Sequence, residues 1–142
     1  MLTETDVTIY NRWTDKNTCD VYFTRTVLKA HTEPVVEKSI GNTNIESKNA
    51  TDVFIPVIAC EESGKEFVSS SVFANLDEID RKSHFTFSKE DVIILEPLTD
   101  EIPVNGLKEF RKKHPEALTI QKISSYMFGS RYLKHWEIRV AE

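Results

Sequence analysis

Apolar positions along this chain alternate with polar ones far more often than they recur every three or four residues. That spacing predicts strands over most of its length. Val7-Thr8-Ile9-Tyr10 reads as a short strand with Val7 and Ile9 on one face, and the polar run Asn11 to Asn17 reads as a turn. Cys19 to Ala30 reads as a long strand that is partly apolar on both faces. Val21, Phe23 and Val27 lie on one side, with Tyr22, Thr24, Thr26 and Leu28 on the other. His31 to Ile40, broken by Pro34, is expected to be a bent or edge segment, and GNTNIESKNAT (41–51) a loop tip. Asp52 to Cys60 is expected to be a strand with Val53, Ile55 and Val57 together. Pro56 has no N–H to donate, which places that strand at an edge or at a bulge.

Glu62-Ser63-Gly64-Lys65 is a turn signal. In Phe67 to Lys82, Phe73, Leu76 and Ile79 stand three apart, as in a short helical turn. His84–Phe87 and Asp91–Glu96 read as two strands joined at Ser88-Lys89-Glu90. Val92 to Leu95 is a continuous apolar run, the strongest core signal in the chain. One helix is expected over about 101–114. Asp100 or Glu101 would cap it, Pro103 suits its first turn, and Val104, Leu107 and Phe110 share a face. Gly106 weakens its first turn. Ala117–Ser125 and Tyr132–Val140 complete the pattern, joined by the hairpin loop YMFGSR (126–131). The last strand places Tyr132, Trp136, Ile138 and Val140 against the core, with Arg131, His135, Glu137 and Arg139 facing outward. The sum is a mainly β fold, a small antiparallel barrel or sandwich of about seven strands with one inserted helix, in a single domain spanning 1–142.

Composition narrows the function classes. Hydrophobic residues make up 39% and charged residues 29%, a modest core under much polar surface. The net charge of −5 argues against broad binding to nucleic acid, which needs Lys and Arg to neutralise phosphates. Cys19 and Cys60 are too few for a disulfide framework and lack CxxC spacing. No basic-then-apolar leader opens the chain and no apolar run approaches the length of a membrane span. A soluble product made in the cytoplasm, without a membrane partner, is therefore expected.

Candidate chemistry is sparse. His31, His84, His114 and His135 show no metal-ligand spacing, and there is no phosphate-binding glycine loop, so no metal or cofactor is expected. His135 and Glu137, two apart on one strand face, could serve as an acid–base pair, but no serine or cysteine stands in a nucleophile motif. No enzyme activity is expected. Tyr126, Phe128, Tyr132 and Trp136, interleaved with Arg131 and Lys134, admit two readings. One is a stacking platform for a single-stranded nucleic acid. The other is a hairpin whose aromatics fill the core and whose tip meets a neighbour.

The layout as a whole resembles a family of small virion proteins encoded by tailed phages and prophages of Gram-positive bacteria. The resemblance runs through VTIYNRW, TVLKA, DVFIPVIA, FVSSSVFANLD and FTFSKEDVIILEP. It ends in GSRYLKHWEI, similar to that family's Gly-Ser…His-Trp ending. Lys89-Glu90-Asp91 and Glu96-Pro97 stand where the family tends to have glycine turns, which alters the expected turn geometry there. The resemblance implies a structural role at the head–tail junction of a virion assembled in the host cytoplasm, as a head-closure or adaptor ring. Tail completion or another minor capsid role is the alternative. It also implies a closed ring of about six or twelve copies, portal, adaptor and tail partners, and packaged DNA passing an acidic lumen without sequence recognition. The interface residues expected on this basis are Asn42, Asn44, Glu46, Lys48, Phe67, Phe73, Arg131, His135 and Glu137. The segments Gly41–Thr51 and Phe67–Lys82 are expected to carry contacts to neighbours.

Overall fold

The computed structural model describes residues 3–35 and 50–142. Its fold is mainly β, as the alternation predicts, and the principal sheet closes on itself. Six antiparallel strands form a barrel: β1 (Thr3–Thr14), β2 (Val21–Pro34), β3 (Thr51–Pro56), then β8 (His135–Ala141), β7 (Leu118–Tyr126) and β6 (Val92–Ile94), which returns to β1. Between β3 and β6 the chain forms α1 (Val57–Glu62), α2 (Ser70–Asn75) and α3 (Glu78–Arg81). The short strands β4 (Glu66–Phe67) and β5 (His84–Phe85) pair in parallel alongside. The remaining helix, α4 (Leu107–Lys113), precedes β7. Closure is narrow at β6, which pairs with only three residues of β1 and two of β7, so among the described residues the rest of that side of β7 and residues 21–30 of β2 on the β3 side have no strand partner.

Inward-facing side chains fill the barrel, as they must in one this narrow. Val7 and Ile9 of β1 meet Leu28 and Ala30 of β2, Val53 and Ile55 of β3, Ile93 of β6, Ile120 of β7 and Ile138 and Val140 of β8. The aromatic rings of Phe67, Phe85, Phe87 and Trp136 continue this cluster where β3 finishes and β8 begins, with ring centroids 4.7 to 5.7 Å apart.

A second apolar cluster lies on the outside of the wall. Tyr10, Phe23, Val92 and Ile94 point outward and are covered by Ile102, Phe110 and Ala117. Polar ties fasten the covering segment. The Thr8 hydroxyl donates to the Glu96 carbonyl (2.8 Å) and accepts from the Leu98 amide (2.9 Å). The Tyr10 hydroxyl donates to the Asp100 carbonyl (2.7 Å). Val92-Ile93-Ile94 is continuously apolar because Ile93 fills the barrel while its two neighbours face this cover.

Several expectations change. β1 runs to Thr14 instead of turning at Asn11, because the buried Asn11 side chain finds its partners 75 and 80 residues along the chain. Its amide donates to the Thr86 carbonyl (2.6 Å) and to Asp91 (2.8 Å). The turn falls at 15–20, where Asp15 caps the Asn17 amide and Cys19 takes a positive φ of 62°. β2 runs on to Pro34. Pro56 neither marks an edge nor a bulge. β3 is flanked by β2 and β8, and Pro56 ends the strand and precedes α1, where its missing N–H is not needed.

The single helix expected over 101–114 shrinks to Leu107–Lys113. Asn105 sits at φ 57° and turns its side chain to β2, accepting from the Val21 amide (2.8 Å) and donating to Asp20 (2.9 Å). A Cβ on Gly106 would stand 3.0 Å from the Pro103 carbonyl oxygen, so glycine suits the helix entry. Val104 is consequently exposed and not on the buried face. The region 67–82 holds two short helices in place of one helical turn, capped by Ser69 and Asp77. Tyr132 belongs to the β7–β8 loop and not to the core face, since β8 starts only at His135.

Candidate functional site

A sizeable cavity opens at the end of the barrel where β3 passes into α1. It holds about 770 Å³ and is lined mainly by apolar surface from Val57, Phe67, Met127 and Trp136, with Cys60 beneath. The helical turn after Pro56 supplies one wall, and the Ser63–Lys65 turn, with Gly64 at φ 84°, reverses the chain into β4. Phe67 is held in place by a tilted contact with Trp136 (4.7 Å) and an edge-on contact with Phe85 (5.6 Å).

Charged groups stand around this floor. The Lys65 ammonium reaches back to the barrel wall, donating to the Arg25 carbonyl (2.6 Å) and Thr26 Oγ1 (3.0 Å). Burial lowers its pKa, and the Arg25 charge adds to the effect. Glu61 pairs with Arg131 of the β7–β8 loop. His84 bonds the Asp80 carbonyl through Nδ1 (2.7 Å) and Glu66 through Nε2 (3.1 Å). The Asp80 carbonyl, with help from Glu66 and against slight burial, raises its pKa above the ordinary histidine value.

The arrangement is suited to binding. Burial pushes the Cys60 thiol up to about 12, so almost no thiolate exists near neutral pH to act as nucleophile. Among the described residues no three His, Cys, Asp or Glu side chains converge as a metal site. An apolar floor with charged groups at its margin suits an apolar side chain from another molecule.

His135 and Glu137 are brought together more closely than their strand spacing predicts, with Nε2 3.0 Å from Glu137 Oε2. The other ring nitrogen lies 2.9 Å from the Leu133 carbonyl, and Tyr126 stacks on the imidazole at 5.0 Å. Both ring nitrogens are thereby engaged. The Leu133 carbonyl first, then Glu137, raise the His135 pKa, against some lowering by burial. In an NMR pH titration both His84 and His135 are expected to titrate above pH about 6.5. Glu137→Gln should lower the His135 midpoint and leave His84 unmoved, and a His135 midpoint at or below 6.5 in the native chain would contradict the pairing.

The nine expected interface residues separate. Phe67 lines the cavity, and Arg131 reaches its margin through Glu61. His135 and Glu137 form their own pair at the start of β8. Phe73 is 2% exposed, its ring turned into the chain beneath Arg81, which spans from the Phe73 and Ala74 carbonyls to the Trp13 ring. Its side chain therefore packs within the subunit and not on its surface. Asn42, Asn44, Glu46 and Lys48 lie outside the described residues, as does Gly41–Asn49 of the expected contact loop. Sequence reasoning missed Val57, Glu61, Lys65, Glu66, His84 and Met127 as neighbours of one cavity. The Ser63-Gly64-Lys65 turn was the one local signal near them.

The β7–β8 loop supplies the other conspicuous surface. Phe128 is 74%, Tyr132 80% and Leu133 64% exposed, while Trp136, three residues after Leu133, is packed against the core cluster. The aromatic run thus divides between core and tip.

A family model described as a family of unknown function (DUF6751) matches residues 2–141. No curated protein and no solved structure matches the chain.

Proposed function

Since the chain belongs to the DUF6751 family, whose function is unknown, we propose from the molecule itself that it is a structural subunit of a tailed-phage virion. It works by assembly, as part of a head-closure or adaptor ring between portal and tail. One observation carries this reading: a closed, internally filled barrel holds out a loop bearing Phe128, Tyr132 and Leu133 in water. Apolar side chains clustered at an exposed tip are a feature of surfaces that become buried against a partner.

The Gly-Ser…His-Trp ending adds a sequence reason for choosing this assembly over others. In this structure Gly129 takes φ 89° within the exposed tip, Trp136 anchors the tip to the core, and His135 is held by Glu137. The segment that carries the resemblance is therefore the segment that presents the apolar tip. In the proposed ring, copies of this chain contact one another, the portal or adaptor lies above, the tail below, and DNA passes through. A tail-completion position in the same stack is the nearest alternative.

Deletion of the gene from the parent phage tests the role. Heads that package DNA, leak it and lack tails are the expected result under the electron microscope. Purified protein should also dock on portal assemblies by light scattering. Normal, infectious virions formed without the protein would end this reading.

A further inference from the structure

We propose that the cavity at the α1 end of the barrel receives the β7–β8 tip of a second copy of this chain. This deepens the ring reading and rests on it for the premise that copies touch; the residues that touch are the new content. The two surfaces match in size and in apolar character. The cavity, about 770 Å³ with an apolar floor at Phe67, Trp136 and Val57, is of the size that takes one or more large side chains. The tip offers Phe128, Tyr132 and Leu133, all mostly exposed.

Charge adds to this match. The tip segment 127–134 contains Arg131 and Lys134 and no carboxylate. The cavity-forming segment 57–67 contains Glu61, Glu62 and Glu66 against the single cation Lys65, whose ammonium is already turned to the Arg25 carbonyl. An approaching tip therefore meets apolar surface at the floor and, at the margin, Glu61 and Glu66, held in the single chain by Arg131 and His84, so that pairing between copies exchanges these contacts for equivalent ones. Within one chain Arg131 already holds Glu61, which shows that the two charge sets pair when adjacent. That contact also tethers the tip beside its own cavity, with Phe128 still exposed to solvent. Because each copy carries both a tip and a cavity, the contact can pass from copy to copy.

The full chain tests this. Sedimentation over a range of concentrations should reveal self-association, and Phe128→Asp should weaken it by at least about tenfold. Val104→Asp, exposed and remote in sequence from both surfaces, serves as the control and should not. A photo-crosslinking phenylalanine analogue at position 128, in an equal mixture of 15N-labelled and unlabelled chains, should join 128 to peptides from 57–67 or 83–84 of the other isotopic species. A chain that stays monomeric at every concentration overturns the proposal, and so do crosslinks confined to other peptides. Association that survives Phe128→Asp overturns it as well. A two-fold dimer crosslinked tip to cavity upholds this contact while overturning the ring. Normal virions in the deleted phage, with the crosslinks present, remove the virion role and leave the contact standing.

Discussion

Asp91→Ala is expected to destabilise the protein by about 3–5 kcal/mol at pH 5, where the folded chain keeps this group protonated, read as a fall in the denaturant midpoint. Asp91 is 1% exposed and its carboxylate is the knot that ties β1 to the turn before β6. It accepts from Asn11 Nδ2 (2.8 Å), the Arg12 amide (2.9 Å) and the Ser88 amide (3.0 Å). Truncation to Ala removes the acceptor of all three, leaving Asn11 Nδ2 with the Thr86 carbonyl alone and the Arg12 and Ser88 amides without this partner. Each buried orphan costs about 1–3 kcal/mol. A loss below about 1 kcal/mol would show that the three bonds are not what holds the two segments together.

The same residue gives a pH dependence whose sign is unusual for a carboxylate. Burial raises the Asp91 pKa from 3.8 to about 7, outweighing the three N–H donors and the Arg12 charge that pull it down. Between about pH 4 and pH 7 the folded chain therefore holds a proton that the unfolded chain has released. Stability linked to this group is fully present below the unfolded value and falls as pH rises through the folded one. The fall amounts to at most about 4 kcal/mol at about 1.4 kcal/mol per unit. Asp91→Asn cannot titrate, so the slope of unfolding free energy against pH across that window should be shallower in the variant. Parallel slopes in the two proteins would place the titration elsewhere.

The second large effect belongs to the outer cluster. Phe110→Ala should cost about 3–5 kcal/mol, since the ring is buried against the outward face of β1 and β6 and meets Tyr10 edge-on at 5.3 Å. Val104→Ala, one helical pair away in the expected pattern but exposed in the structure, should change stability by less than about 0.5 kcal/mol. Amide exchange sharpens the comparison. In Phe110→Ala, protection should fall first in α4 and along 95–106, while the Ile9, Ile93 and Ile138 amides of the barrel outlast them. Equal costs for the two substitutions would mean that α4 contributes little to holding the wall.

Most of the strands are legible from local pattern because each is an answer to a local question. Ile138 and Val140 alternate with Glu137 and Arg139, so one face is apolar whichever strand lies beside it. Val92-Ile93-Ile94 announces a strand covered on both faces without saying by what. The helix was legible only in part. Val104, Leu107 and Phe110 share a periodic face, yet Asn105 is more useful to the β2 start than to a helix. Gly106 then favours entry one turn later. Pro56 misled for a related reason: a residue without an N–H suits both a strand edge and a helix entry, and only the path of the following chain chooses between them.

The candidate site was scarcely legible. Phe67 and Arg131 were singled out, but the cavity also needs Val57 from α1, Met127 from the β7–β8 loop and Trp136 from β8. His135 beside Glu137 stands out in the sequence, and in the structure it is a paired group stacked on Tyr126.

By itself the sequence determined the fold class, because a period of two in apolar residues leaves a chain no economical way to bury them except in sheets. It determined the principal inward positions of β1 and β8 for the same reason. Only the tertiary structure decided that the sheet closes and that a second core lies outside its wall. The same holds for Asp91 meeting Asn11, which stands 80 residues away, and for a cavity opening beside an exposed apolar tip. Each of these depends on which distant segments become neighbours. Periodicity specifies which face of a strand seeks cover, whereas the covering partner is set by chain closure and packing, to which no local pattern has access.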